Sequence, residues 1–499
     1  MEWMMGSRIA LTPRPIQRRR AALEVAMLGH CPGRVRFERL LALPAALEEM
    51  RGAGYGEAVD ALLAGDHSDT NIGGLTHLPI PLQSSTEFHD IFPDAASDKS
   101  SYFSVLAGDR AWLAQAVDDF FVNGGEKLWL VKIPQDEGQS GFLPAGNTLL
   151  HDTRSLRGIA TVLVIPSLAV LAMPDLERLQ VPAKLPNIPR VRQNNPNPQF
   201  LPCATDREGD QDLLYNSELE AMPNPRTLNE LLQGILSLLG KRRPDVQCLF
   251  TLPLSYSGEL DSPTIDQQAL DRISHIRAGG SGHLLRHVQF LFPYLRGPRF
   301  SLRSPVGLIA GQQAAVAHSQ GPWRSMAARS LATDALPYPK LSTTETIQLR
   351  EKPGVGIIQH RSDKVSLDDE RLVVPALHPA DYAGAIDRQS FNGFRSAEVM
   401  RFLGFIRRQL QILGESLIFN IDYRDPRPRL LLEQFLRRLH KQGALRGALP
   451  EDAFSITETS SQEGVMLYEI MLAPALPIDR LFLTFTNQNG EWHGDLSNV

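Results

Sequence analysis

Residues 120–134 read FFVNGGEKLWLVKIP. Upstream, between Asp109 and Val122, Leu113, Ala116, Val117, Phe120 and Phe121 recur at three- and four-residue steps and define one apolar helix face. Asn123 and Gly124 stand where a helix ends in a left-handed residue, a conformation that Asn and Gly tolerate best. LWLVKI, Leu128 to Ile133, then reads as a strand of the core, entered through Gly125. Asn123, Gly124 and Gly125 are therefore expected to form a structural turn between a helix and a strand. That order argues against a phosphate site. A phosphate-binding turn runs from strand to helix, so that the positive helix N-terminus faces the anion. Here the glycines follow the negative end.

Outward from this stretch the chain alternates helices with strands, which predicts a mixed α/β fold. Ala22 to Gly33 (ALEVAMLGHCPG) gives a short buried strand ending in a Pro-Gly turn. Residues 45–76, rich in Ala and Gly, read as a surface helical excursion. The most apolar stretch, Ile159 to Met173, is shorter than the ~20 residues of a membrane-spanning helix and contains Pro166, so it reads as a buried strand with a short return. Residues 174–205 are dense in Pro and Asn and read as a linker or long loop. Toward the C-terminus, Val399, Phe402, Leu403, Ile406, Leu410 and Leu413 form one helix face that Gly414 is expected to stop, and a second helix covers about Leu430 to Lys441. Leu467 to Ala473 and Arg480 to Thr486 are strands; in the latter Leu481, Leu483 and Phe485 point one way, with Phe482 and Thr484 opposite.

Composition excludes several classes. A formal net charge of −5 over 499 residues exerts no overall pull toward nucleic acid or an anionic membrane. Cys31, Cys203 and Cys248 lie far apart, against both a disulfide framework and a structural zinc site. The N-terminus lacks an apolar segment of signal-peptide length, so synthesis in the cytoplasm without membrane insertion is expected.

Motifs for chemistry are incomplete. Gly52-Ala-Gly54-Tyr-Gly56 and Gly354-Val-Gly356 lack the third glycine of a dinucleotide fingerprint, and the segment from Gly234 lacks the Ser or Thr of a phosphate loop. His283 and His287 stand four apart, but Leu284 occupies the place of the glutamate that a zinc hydrolase needs. No catalytic, cofactor-binding or metal-binding residue is assigned, no cofactor is expected, and the reading is that of a protein that is not an enzyme. One local feature stands out. From Arg427 to Arg446 the chain carries Arg427, Arg429, Arg437, Arg438, Lys441 and Arg446 against the single acid Glu433. Gln434, Arg437, Arg438 and Lys441 group on one helix face, opposite Leu432, Phe435, Leu436 and Leu439. This is a solvated face or a dock for an acidic partner.

Order and spacing then resemble a known family. FFVNGGEKLWLVKI is similar to the helix–Asn-Gly-Gly–strand segment of contractile tail sheath proteins, found in phages and in phage-derived injection systems. MLGHCPGRVRF and LPIPLQSSTEFHDIFP resemble that family's opening strand and its Ser/Thr-plus-Glu-Phe turn. PVGLIAGQQAAVAHSQGPWRSMA (Pro305 to Ala327) and KPGVGIIQHR (Lys352 to Arg361) follow in the family's order. FNGFRSAEVMRFLGFIRRQLQ and LLLEQFLRRLHKQGALRGALPEDAFSI resemble its closing domain, including the Lys-Gln-Gly-Ala-Leu step. The sequence departs from the pattern at VVPALHPADYAGAIDRQ and within residues 45–76.

The resemblance implies a structural subunit that stacks as hexameric rings around an inner tube and contracts. It implies a core sheath domain in two parts, residues 21–134 and 346–487, with an inserted, surface-exposed α+β domain at 135–345. Extended arms would lie at residues 1–20 and toward the C-terminus, with a tail at 488–499. Arg8, Ile9, Ala10 and Leu11, and Leu481, Phe482, Leu483, Thr484 and Phe485, would add strands to neighbouring subunits. Arg437, Arg438 and Lys441 would dock on the tube. The implied partners are further copies of the chain, the inner tube protein, and baseplate and cap proteins, within a phage-tail-like particle. The alternatives are a cap or baseplate component on the same fold, and an α/β enzyme whose site has no recognised motif.

Overall fold

The computed structural model describes residues 22–96, 107–108, 110–144, 152–181, 226–255, 263–297, 302–351, 354–375, 393–417, 426–462, 465–476, 481–488 and 491–497. Arg8, Ile9, Ala10 and Leu11 lie outside them.

Five apolar runs build the centre of the molecule: β1 (Glu24–Gly29), β3 (Leu128–Lys132), β4 (Leu168–Ala172), β5 (Gln247–Thr251) and β8 (Val288–Phe292). Every residue of these runs except Lys132 is buried, as expected of parallel strands covered on both faces. With β2 (Pro79–Leu82), β12 (Gly356–Arg361) and β13 (Lys364–Leu367) they form one eight-stranded sheet, in the order β13-β12-β8-β5-β4-β1-β3-β2. The six inner strands are parallel to their neighbours, and β2 and β13 add antiparallel edges. A short hairpin, β6 (Leu254–Ser255) with β7 (Thr264–Ile265), and a three-stranded sheet flank it; the latter joins β9 (Tyr294–Arg296), β10 (Leu302–Arg303) and β11 (Leu336–Tyr338).

This topology corrects the expected division. Residues 135–345 are not an inserted outer domain, because they supply β4, β5 and β8 to the middle of the sheet and share one apolar core with residues 23–133. The stretch read as a linker begins with a short helix, Pro174–Arg178, whose five residues are all buried. The excursion at 45–76 also reaches the core, through Leu47, Met50, Tyr55, Val59 and Leu62.

Residues 113–125 show how the sheet meets its helices. The helix Leu113–Val122 ends with Gly124 at φ +89°. The Gly124 N–H donates to Phe121 O (3.1 Å) and the Gly125 N–H to Phe120 O (3.0 Å), the paired bonds of a Schellman cap. Asn123 itself is not left-handed (φ −90°). Its amide donates to Asp119 O and Ala332 O, and its Oδ1 accepts the Ala332 N–H. The strand starts at Leu128 rather than at Gly125. Gly125 is required for space, since a Cβ there would stand 2.2 Å from the Phe120 ring. Across this helix lies the helix Val306–Gln320. A Cβ on Gly307 or Gly311 would come within 2.3 Å of Ala116 O or Phe120 O, so the two backbones touch.

A second core follows. The helices Ala397–Leu417 and Arg427–Lys441 pack Val399, Phe402, Ile406, Leu432, Leu436 and Leu439 with Trp323, Tyr468 and Ile470. They sit with an antiparallel meander, β14 (Phe454–Gln462), β15 (Val465–Leu472), β16 (Leu481–Gln488) and β17 (Glu491–Ser497). The first of these helices runs through Gly414, which does not stop it, and the expected tail at 488–499 supplies β17.

Candidate assembly interface

The helix Arg427–Lys441 starts behind Pro426 and carries Pro428 in its first turn, where a missing N–H costs nothing. It buries Pro428 and packs Leu432, Leu436 and Leu439 into the second core. Gly443, at φ +75°, closes it, with the Gly443 N–H on His440 O and the Ala444 N–H on Leu439 O. This is the same cap as at residues 120–125, so the Lys-Gln-Gly-Ala step is a helix stop. Leu430, Gln434, Arg437, Arg438 and Lys441 are exposed along the opposite face, and Leu430 is 52% accessible. The basic side chains of the last turn also complement the helix dipole. Arg437 differs from its neighbours in having a local partner: its Nε donates to Glu433 Oε1 at 2.9 Å, four residues earlier, and Glu451 lies 3.9 Å away. The single interleaved acid thus engages one of the three expected docking cations.

The proposed C-terminal arm takes another form. Leu481, Phe482, Leu483, Thr484 and Phe485 lie in β16, which pairs with β15 on one side and β17 on the other. A strand paired on both edges within its own chain is not a lone arm. Among the described residues the outermost strands of this meander are β14 and β17.

Sequence reading missed the joint between the two cores. Along the helix Ala397–Leu417, Ala397, Arg401, Gly404 and Arg408 recur at steps of four, three and four, and all are buried. Arg401 grips Glu370 with both terminal nitrogens, at 2.6 and 2.9 Å. Glu370 also accepts from the Ser325 hydroxyl, the Met326 N–H and the Gln313 amide. Desolvation opposes ionisation of Glu370, yet the Arg401 guanidinium and these donors hold its carboxyl below the usual range. Arg408 donates to Asp245 O (2.8 Å) and stands 3.3 Å from Asp245 Oδ2. Arg243 donates to both oxygens of that carboxylate, Nε to Oδ1 (2.9 Å) and a terminal nitrogen to Oδ2 (2.8 Å). A Cβ on Gly404 would meet Asp245 O at 2.3 Å, so the helix rests directly on that loop.

The carboxyl ends of β1 and β4, where open parallel sheets hold ligands, are filled by the chain itself. Asp175 Oδ1 accepts the Trp112 N–H (2.7 Å), and Oδ2 accepts the N–H groups of His30 (2.8 Å) and Leu113 (3.1 Å). A side-chain carboxylate thus occupies the anion position at the N-terminus of the helix Leu113–Val122. Beside it, Glu177 accepts the Thr251 N–H and bonds the Ser304 hydroxyl, and burial pushes its carboxyl up to about 8. His283 and His287 fall in a 3-10 turn, one exposed and one buried, and burial pushes His287 down to about 4. Among the described residues no three His, Cys, Asp or Glu side chains gather as a metal site, and no helix is long and apolar enough to cross a membrane.

No protein-family model and no curated protein matches the sequence. Solved structures do. A chain of the anti-feeding prophage (AFP) baseplate in its contracted state superposes with a TM-score of 0.55 at 14% identity, over 95% of this chain and 94% of that one. This chain shares the fold of a component of a contractile particle. Two more chains, from the six-fold symmetrised AFP baseplate and from the AFP helical sheath in its contracted state, each align over 96% of this chain and 97% and 98% of their own. Their TM-scores are both 0.49, at 15% and 14% identity.

Proposed function

We propose that the chain is a structural subunit of a contractile tail sheath, which polymerises with further copies of itself around an inner tube and shortens to drive that tube through an envelope. The observation that carries this reading is the fold shared with a contracted-state particle over nearly the full length of both chains. The ordered sequence resemblance to sheath proteins supports it. The exposed Arg438 and Lys441 on the helix Arg427–Lys441 supply a surface for an acidic tube. Individual exposed ion pairs contribute only ~0.2–1 kcal/mol, but repetition around many rings sums them while each remains breakable. The N-terminal segment Arg8 to Leu11 is proposed to reach a neighbouring subunit's sheet by strand addition, at an outermost strand such as β14 or β17.

Negative-stain microscopy of the purified chain with its tube protein is expected to show tubes of stacked rings; compact closed oligomers alone would overturn the proposal. A cap or baseplate component on the same fold is the second reading, because the aligned chain at TM-score 0.55 comes from a baseplate. Labelled protein would then mark one or a few rings at a particle's end rather than its whole length.

A further inference from the structure

A cavity of about 840 Å³ lies between β11, the helix Thr343–Glu351 and β12. Four consecutive residues of β12 line it: Ile358, Gln359, His360 and Arg361. A cavity over the face of a sheet meets alternate residues of a strand; one lined by consecutive residues lies along the strand's edge. Hydrogen bonding sets the direction of that edge. The Ile357 N–H donates to Asp368 Oδ1 (2.8 Å) and Ile357 O accepts the Asp368 N–H (2.9 Å), so the main chain of Ile357 faces the β13 side. By the two-residue period, Gln359 and Arg361 face the same way, and the N–H and C=O of His360 face the other. On that other side β8 pairs no farther than Ile357. Across the cavity, β11 pairs among the described residues with β9 alone and carries Pro337, which has no N–H to offer.

The side chains around this edge define its occupant. Asp368 borders the cavity with its side chain 5% exposed; Oδ1 accepts two N–H groups, whereas Oδ2 makes no hydrogen bond and has only the Arg350 guanidinium nearby, at 3.8 Å. A buried carboxylate oxygen in that state calls for a donor. Leu336 and Ile347, 52% and 47% accessible, form an apolar lip. Arg350 lies within ion-pair distance of Asp368 (3.8 Å) and Glu351 (3.6 Å), which leaves Lys340 and Arg361 as the exposed cations of the lining. We propose that this slot receives an extended, acidic segment of a partner protein, which adds as a short strand beside His360. Its acids meet Lys340 and Arg361, and its apolar residues cover Leu336 and Ile347. No residue of the basic helix borders the slot, so peptide binding and assembly on a tube fail or succeed separately.

The test titrates the full-length protein into a fluorescein-labelled eight-residue peptide of alternating Glu and Leu, and into its Lys-for-Glu counterpart. Saturable binding of the glutamate peptide alone is expected. His360→Pro deletes an amide that faces away from β13, and Lys340→Glu with Arg361→Glu reverses two exposed charges; each change is expected to weaken binding about tenfold or more. Thermal melting verifies that the variants fold, and the charge-reversed pair serves should His360→Pro melt early. Lack of saturation, equal binding of the lysine peptide, or unchanged affinity in the folded double variant overturns the proposal. Self-association that the same variants abolish, without peptide binding, assigns the slot to a second copy and overturns the partner reading.

Discussion

At Gly125 a single methyl group has nowhere to go, because the Phe120 ring that it would strike is fully buried. Gly125→Ala is therefore expected to cost about 1–3 kcal/mol, read as a lowered denaturation midpoint, as overpacking of a tight core does. The sequence marked this place as a turn, yet it could not divide the work between Asn123, Gly124 and Gly125. That division depends on Ala332, which both donates to and accepts from Asn123 across 209 positions of chain. Glu177 is a second residue whose state only its surroundings decide. Its folded carboxyl titrates near 8 against about 4.3 unfolded, so between these values the folded state holds the extra proton. Stability from this group is complete below about pH 4 and is lost as pH rises toward 8. Glu177→Gln keeps an acceptor for the Thr251 N–H and a polar group beside the Ser304 hydroxyl, and removes the titration. Its unfolding free energy should gain on the wild type between pH 5 and 8 by an amount on the order of a few kcal/mol; parallel pH profiles of the two proteins would refute that.

Helix Ala397–Leu417 shows what an element has to satisfy at once. Its apolar face was legible from the spacing of Val399, Phe402, Leu403, Ile406 and Leu410, all of which are buried. Its second buried stripe, Ala397, Arg401, Gly404 and Arg408, follows the same periodicity but carries charges, which a search for apolar repeats passes over. The stripe works because Glu370 and Asp245 arrive from other elements to neutralise it. Removing one partner of a buried pair leaves the other charge uncompensated, which costs about 3–5 kcal/mol. Arg401→Met should destabilise by that order in urea denaturation. Arg401→Met combined with Glu370→Met should recover much of the loss, because both charges then leave the interior; equal loss in the single and double variants would show that packing alone, and not the charge, holds the joint.

For the whole molecule the decisive surface is the one that its own core does not need. Arg438 and Lys441 are exposed while Leu432, Leu436 and Leu439 anchor the same helix, so its charge can change without loss of packing. Charge reversal at Arg438 and Lys441 is expected to leave the melting temperature within about 2 °C of the wild type while preventing rings from forming on the tube protein, as counted by negative-stain microscopy. Tubes of normal length and number would refute the proposed docking role of this face. Arg437 belongs in a separate variant, since its reversal also breaks the i,i+4 pair with Glu433, worth about 0.3–0.5 kcal/mol.

The sequence by itself determined the local elements: the buried strands at Glu24–Gly29, Leu128–Lys132 and Leu168–Ala172, the two C-terminal helices, and the turn that stops a helix at Gly124. These depend on side-chain periodicity and on backbone freedom at one residue, both short-range properties. It also supplied the ordered resemblance to sheath proteins. Tertiary structure alone decided which strands are neighbours. β4, β5 and β8 enter the centre of the sheet from a stretch that looked like an insertion, because a strand buried on both faces has no apolar-polar alternation to say which sheet it joins. It decided that β16 is paired within the chain, since a strand's pattern reveals its faces but not whose edge lies beside it. And it placed the Asp175 carboxylate at the N-terminus of the helix Leu113–Val122, through bonds that span 62 and more positions and that no local motif encodes.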